Sequence, residues 1–350
     1  MSMKETFPGP RKNATGRTGA QQVLDDPGTR QNRQRLNGDR RTPMTTNRAF
    51  VKTRRFSIDP VPPFRLDLTV WALRRRPNNA VDCWDGDTYQ RVLVLSGRPV
   101  LMSVTQHGRR LHITVCGEQM APTVSRTVTA LLDRLLGLST RLDRFYTFAK
   151  RDRRLNELAQ RYRGLKPPRF PTLFEALVNG IACQQLSLSV GILLLNRLAE
   201  RFGRGFDGIH HAFPRPEELY EVPPTGLRPL GYSLTKSRAL LELARSVTTK
   251  QVDLVSLAGL DDHDAVARLC LLRGIGRWTA EYALLRGLGR IHLFPGDDVG
   301  ARHNLQRWLH LRRSLDYQAV HQVLRQWRPY NGLVYFHLLL DHLDHAGCLT

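Results

Sequence analysis

The sequence predicts an α+β protein in which an N-terminal antiparallel sheet domain precedes an all-helical one, and three observations carry that expectation. Between Arg110 and Val115, Leu111, Ile113 and Val115 alternate with His112 and Thr114, the period of two that a half-buried strand requires. From Pro122 the period changes, and Val124, Val128, Leu131, Leu132, Leu135 and Leu136 fall on one helical stripe. Beyond about Asp143 almost every apolar pattern is helical, with short connections between the segments.

In chain order, residues 1–55 are rich in Arg, Thr, Asn, Gly and Gln and lack periodicity, so they read as a disordered basic arm, either functional or inert, with Met44 an alternative start. The first folded domain spans 56–143. Its strands are expected where Phe64, Leu66, Leu68 and Val70 alternate with Arg65, Asp67 and Thr69, and then at Tyr89 to Leu95, Val100 to Val104 and Arg110 to Val115. Gly86, Gly97 with Pro99, and Gly108 mark the turns between them. The helical domain spans 144–350. Phe174 to Phe202 reads as one long helix whose stripe is interrupted by Gln184, Gln185 and Ser187, with Gly203 as its stop. Pro/Gly connections run from Leu219 to Tyr232, and a short helix from Ser237 to Val247. A last helical stretch from His321 to Leu343 is broken at Pro329 and Gly332.

Bulk properties restrict the function. The 350 residues allow two full cores, and a formal net charge of +22 suggests a polyanionic partner without choosing among DNA, RNA, an acidic membrane and plain solubility. No apolar run is long enough to span a bilayer and no signal peptide is evident, so no membrane partner is implied and the expected compartment is the cytoplasm or nucleoid. The five cysteines (Cys83, Cys116, Cys183, Cys270, Cys348) show no C-x-x-C spacing, which argues against a disulfide framework, structural zinc or an iron–sulfur cluster; they read as small buried hydrophobes. His210, His211, His337, His342 and His345 likewise lack metal-ligand spacing, so no metal or other cofactor is implied.

The densest chemistry lies between Leu269 and Leu309, which reads as helix, Gly-Ile-Gly turn, helix, a Gly/Pro-rich connection with two adjacent carboxylates, and a third helix. Gly274 and Gly276 supply a sharp reversal with positive φ, and their missing Cβ atoms would let a phosphate approach the amides that open the next helix, beside Arg277. By itself such a turn is more often an ordinary helical corner. Asp297 and Asp298 open the third helix, where one aspartate suffices as a cap. Asp298 lies one turn from Arg302, which could hold it ionised, and a fixed anion there suits stabilisation of an oxocarbenium-like sugar. Trp278 and Tyr282 are four apart on one helical face, a spacing that also serves plain core packing.

The L-x-G-I-G-x-W-T-A hairpin, the F-P-G-D-D-V-G-x-R that follows and the upstream I-A-C-Q-Q-L-S resemble the helix-hairpin-helix, Gly/Pro-rich, aspartate (HhH-GPD) superfamily of DNA glycosylases, most closely its 3-methyladenine DNA glycosylase II branch. The resemblance covers about Phe56 to Leu343. It implies an N-terminal sheet domain of TATA-binding-protein-like shape, a cleft between the domains, and a monomer acting in base excision repair on double-stranded DNA with damaged bases. It makes Asp298 the catalytic aspartate, Trp278 and Tyr282 the pocket for a flipped cationic alkylated base, and Gln185 the wedge that fills the gap. Trp278 stands where members with lyase activity carry a lysine, so a monofunctional enzyme that leaves an abasic site is expected. The chain departs from the pattern at Arg273, where a proline is frequent, and at Gln185, where the wedge is usually apolar. On the last helix Phe336, His337 and Leu339 occupy the region where a tryptophan often closes the pocket. Two other readings stay open, a glycosylase of the same fold for oxidised purines and a non-catalytic DNA-binding module.

Overall fold

The computed structural model describes residues 51–349. Most of the predicted basic arm therefore lies outside the described residues. Its end is corrected, because Lys52–Ile58 (β1) is a strand that begins four residues before Phe56. β1 pairs with Arg110–Gly117 (β5), and the sheet continues through Arg98–His107 (β4), Tyr89–Leu95 (β3) and the two-residue Cys83–Trp84 (β2), every pair antiparallel. The alternation read in β5 sends Leu111, Ile113 and Val115 into the core. On β4, Met102 and Val104, opposite Val115 and Ile113, are buried with Val100. Residues Val124–Leu136 (α2) cover this face with the predicted stripe, Val124, Val128, Leu132, Leu135 and Leu136 all being buried.

The strand expected around Leu66 to Val70 is instead a helix, Leu66–Arg74 (α1). Two faces of α1 are apolar. Leu66, Val70 and Leu73, spaced four and three apart, join the cluster that contains the sheet, while Leu68, Trp71 and Ala72 join a second cluster made largely of later helices. A helix buried on both sides can mimic alternation over a short window, which is how the period misled.

The remaining helices are Asp143–Ala149 (α3), Arg153–Arg161 (α4), Leu173–Cys183 (α5), Leu188–Phe202 (α6), Pro216–Leu219 (α7), Leu234–Thr248 (α8), Asp262–Cys270 (α9), Arg277–Ala283 (α10), Val299–Trp308 (α11), Tyr317–Leu324 (α12) and Asn331–His345 (α13). The single helix expected from Phe174 to Phe202 is two. Gln184 leaves helical geometry with ψ 132°, Gln185 is left-handed with φ 53°, and Ser187 accepts from the Val190 amide to cap α6. The polar cluster is thus a break, because its residues favour local backbone capping over helix continuation. Gly203 does end α6 but with φ −76°; what excludes a side chain there is the Ala212 carbonyl, 1.8 Å from where a Cβ would stand. The last stretch breaks at Arg328 to Tyr330, whereas Gly332 sits inside α13 and lets it approach the Ile291 carbonyl, to which its amide donates at 2.8 Å. No helix among the described residues is long and apolar enough to cross a membrane.

Sheet and helices are joined by charge as well as by apolar contact. Arg91 of β3, 3% exposed, donates to Asp82 at 2.6 Å and to both oxygens of Glu175 at 2.7 Å, at the start of α5. A buried guanidinium bracketed by two carboxylates holds β3 against α5 at one register. That register matters because α5 ends at the Gln184 break beside the candidate site.

The cysteines correct the expectation made for them. All five are unpaired, Cys270 is exposed, and the other four are only half-buried.

Candidate active site

The hairpin forms where the spacing placed it, between α9 and α10, but its two glycines differ. Gly274 alone has positive φ, at 74°, and a Cβ there would lie 2.6 Å from that of Ala239. Gly276 is extended, with φ −100° and ψ 178°, and a Cβ on it would meet nothing within 4 Å. So Gly274 makes the turn against α8, while Gly276 caps α10 from an exposed position with amides available beyond it.

The α5/α6 break is tied to this turn. Gln184 Nε2 donates to the Gly274 carbonyl at 2.8 Å and to Thr279 Oγ1 at 2.9 Å, and Lys236 Nζ donates to the carbonyls of Ala182 and Gln184 at 3.0 and 2.6 Å. These bonds leave Gln185 exposed at the tip of the break beside Leu186, itself 42% exposed. Arg277 is less free than the sequence suggested. Its guanidinium grips Asp297 at 2.7 Å and lies 3.7 Å from the ring centroid of Tyr317; the bond to Asp297 raises its pKa further. Arg273 pairs with Glu242 at 3.7 Å.

Of the two aspartates, the cap is Asp298 itself. Its Oδ1 accepts from the Ala301 amide at 2.9 Å, and its backbone amide is held by the Pro295 carbonyl at 3.0 Å. The carboxylate is half-buried, and capping with one oxygen orients the other. The partnership expected with Arg302 is not formed. Only the backbone joins them, Arg302 N–H donating to the Asp298 carbonyl at 2.8 Å, and the cap bond turns the carboxylate toward the helix start instead. The second oxygen, Oδ2, accepts from the Tyr335 hydroxyl at 3.4 Å. Burial pushes the Tyr335 phenol well above its usual pKa, so it stays a donor.

Glu281 holds the loop that delivers Asp298. Its carboxylate accepts from the Gly296 amide at 3.2 Å and the Tyr317 hydroxyl at 2.6 Å, and burial raises its pKa. No local pattern marks this role, since Glu281 sits between Trp278 and Tyr282 where spacing alone would leave a carboxylate on the surface of α10.

Trp278 and Tyr282 do stack on one face, with ring centroids 5.8 Å apart and planes tilted by 33°. Trp278 is half-buried with its indole N–H unpartnered, while Tyr282 is 3% exposed and accepts from Arg75 Nη1 at 2.8 Å. Arg75 comes from the left-handed cap of α1, with φ 64°, and Asn179 of α5 accepts from its Nη2 at 2.6 Å. No motif pointed to Arg75, which lies about two hundred residues from the hairpin. On α13, Phe336 and His337 are buried away from solvent and Leu339 is half-buried; Tyr335 is the residue that reaches Asp298.

Asp261, His263 and Asp264 bring their ligand atoms within 4.8 Å of one another at the exposed start of α9, where Asp261 caps the helix through the Asp264 amide at 2.8 Å. That cap accounts for the clustering.

Residues 178–329 match the family model described as HhH-GPD superfamily base excision DNA repair protein. The DNA-3-methyladenine glycosylase of Bacillus subtilis is 30% identical over 204 residues, 57% of this chain and 67% of the relative. A putative DNA-3-methyladenine glycosylase of the same organism, YfjP, is 26% identical over 271 residues, 77% of this chain and 92% of its own length. Among solved structures, the 3-methyladenine DNA glycosylase of Archaeoglobus fulgidus superposes with a TM-score of 0.72 at 25% identity, covering 84% of this chain and all of the other. The matched segment runs from α5 through the hairpin and the Asp298 loop to the break before α13, so it holds Gln185, Trp278, Tyr282 and Asp298 while Arg75 and Tyr335 lie outside it, and the chain belongs to the HhH-GPD superfamily of base excision DNA repair proteins.

Proposed function

We propose that this chain is a monofunctional DNA glycosylase that, as a monomer, flips an alkylated purine out of double-stranded DNA and hydrolyses its N-glycosidic bond. The observation that carries the reading is the second carboxylate oxygen of Asp298, which is free of the cap, held by Tyr335 and within electrostatic reach of Tyr282. A carboxylate fixed beside an aromatic stack suits a sugar that gains positive charge as its base departs.

In this mechanism the amides beyond Gly276 hold a phosphate of one strand without reading sequence. Gln185, exposed on a left-handed backbone, enters the duplex where the nucleotide has left. Trp278 and Tyr282 receive the base. The glycosidic bond breaks with its electron pair leaving on the base, Asp298 stabilises the sugar cation, and a water adds to C1′ and gives up a proton. Trp278 cannot form a Schiff base, so strand cleavage does not follow.

The test is a panel of duplexes carrying defined alkylated or oxidised bases, with the wild type and Asp298→Asn. Base release from alkylated duplexes by the wild type and its loss in Asp298→Asn, with binding retained, is expected. Excision at the wild-type rate by Asp298→Asn would refute the assignment. Borohydride trapping of wild-type enzyme on DNA would refute the monofunctional reading.

A further inference from the structure

The aromatic pair of the site has one polar anchor, and it comes from the far end of the chain. The Trp278 side chain makes no hydrogen bond among the described residues, its indole N–H being buried and unpartnered, so what orients it is the Tyr282 ring, 5.8 Å away between centroids. Tyr282, 3% exposed, is the deeper of the two, and its hydroxyl accepts from Arg75 Nη1 at 2.8 Å. A phenylalanine would fill the same space. The hydroxyl adds this bond and no other among the described residues.

Arg75 is itself fixed from several sides. Its backbone closes α1 in the left-handed conformation, with φ 64°, where a glycine is least strained, so the backbone does not account for an arginine there. Nη2 donates to Asn179 Oδ1 at 2.6 Å, and Asn179 is tied to α5 through the Glu175 carbonyl at 3.0 Å. Asp82 and Glu175 share the single Arg91, and their surplus negative charge acts on Arg75. Arg286 returns the grip. It lies in the π-helical stretch Leu284–Leu288 that continues α10, and its Nη2 donates to the carbonyls of Ala72 and Leu73 at 2.9 and 3.1 Å, in the last turn of α1 where carbonyls lack helical partners. So α1 and α10 hold each other through reciprocal arginines, and one of the two ends on the Tyr282 hydroxyl.

We propose that Arg75 is a positioning residue of the base pocket, which through the Tyr282 hydroxyl fixes the tilt of the Trp278–Tyr282 stack and so the capture of a flipped base, without touching substrate. This rests on the glycosylase reading above. Stacking requires a ring face presented at a suitable angle, so a Tyr282 free to tilt weakens base capture and leaves the phosphate contacts of the hairpin untouched.

Single-turnover excision from a 7-methylguanine duplex is measured beside affinity for a duplex carrying a tetrahydrofuran abasic analogue, which has no base to stack. Tyr282→Phe and Arg75→Gln each slow excision about tenfold, the scale of one hydrogen bond to a charged group, with abasic affinity within about twofold of the wild type. The double variant is no slower than the slower single one, because both changes remove the same bond. A wild-type rate in Tyr282→Phe, or losses that multiply to about 100-fold in the double variant, overturns the proposal. Abasic affinity that falls in step with the rate makes Arg75 merely structural and overturns it too. Should Arg75→Gln fail to fold by circular dichroism, Tyr282→Phe keeps the ring and carries the test alone. If the wild type itself releases no 7-methylguanine, the glycosylase reading fails and this proposal falls with it.

Discussion

Tyr335 donates its hydroxyl hydrogen to Oδ2 of Asp298 across 3.4 Å, the oxygen that remains when Oδ1 caps α11 through the Ala301 amide. One aspartate is thereby held at both oxygens, by the helix it starts and by the last helix of the chain. Removing the hydroxyl leaves the cap intact and loosens only the free oxygen. Tyr335→Phe is expected to slow single-turnover excision roughly tenfold, about 1.4 kcal/mol and near the low end for a hydrogen bond to a charged group, with affinity for product DNA unchanged. An unaltered rate would show that the contact does not orient the carboxylate.

Cap and chemistry separate at Asp298. Asn retains an amide oxygen for the Ala301 N–H, so Asp298→Asn should melt close to the wild type while losing at least about 10²-fold in excision. Asp298→Ala should lose the same activity and also about 1 kcal/mol of stability. Equal melting temperatures for the two variants would show that the cap contributes nothing.

The hairpin glycines are expected to fail differently. Gly274→Ala meets both the left-handed backbone and the Ala239 methyl, and should cost about 1–3 kcal/mol in chemical denaturation. Gly276→Ala meets open space, so its stability should change by less than about 1 kcal/mol, with weaker binding to undamaged duplex in fluorescence anisotropy. Unchanged affinity in Gly276→Ala would remove that residue from the phosphate contact.

Glu281→Ala leaves the Gly296 amide and the Tyr317 hydroxyl without their acceptor. A loss of about 1–3 kcal/mol is expected, together with slower excision, because the loop that delivers Asp298 is released. Glu281→Gln, which keeps one acceptor oxygen, should fall between. Full activity in the alanine variant would show that the loop is set by other contacts.

His337 predicts an acid limit to stability. Burial lowers its pKa from 6.5 to about 4, so in the fold it stays neutral while the unfolded chain binds the proton first. Its contribution is whole above about pH 6.5 and is lost as pH falls toward 4, amounting to about 3 kcal/mol over that window. The gap in unfolding free energy between wild type and His337→Gln should close as pH is lowered from 7 to 4.5. A gap independent of pH would mean that His337 titrates in the fold as it does in the unfolded chain.

Much of the sheet and of the hairpin was legible because its signals are local. The strands at Tyr89 and Arg110, the stripe of α2 and the Gly-Ile-Gly turn each need only neighbours in sequence, and Trp278 and Tyr282 share a face by spacing alone. The misreadings arose where one residue serves two surfaces. Leu66 to Val70 alternate because α1 faces two clusters, and the helix read through Gln184 breaks because its amide side chain bonds the Gly274 carbonyl, ninety residues away.

The sequence by itself determined the motif, namely a turn that can receive a phosphate, two aromatics on one face and an aspartate at a helix start. Those follow from residue type and spacing over one or two helical turns. Only the tertiary structure decided which partners complete them: Tyr335 rather than Arg302 on Asp298, Asp297 on Arg277, and Arg75 under Tyr282. The reason is that hydrogen bonds and charge act over a few ångströms in space, and the groups they join here come from α1, α10, α11 and α13, whose separation along the chain carries no periodicity to read.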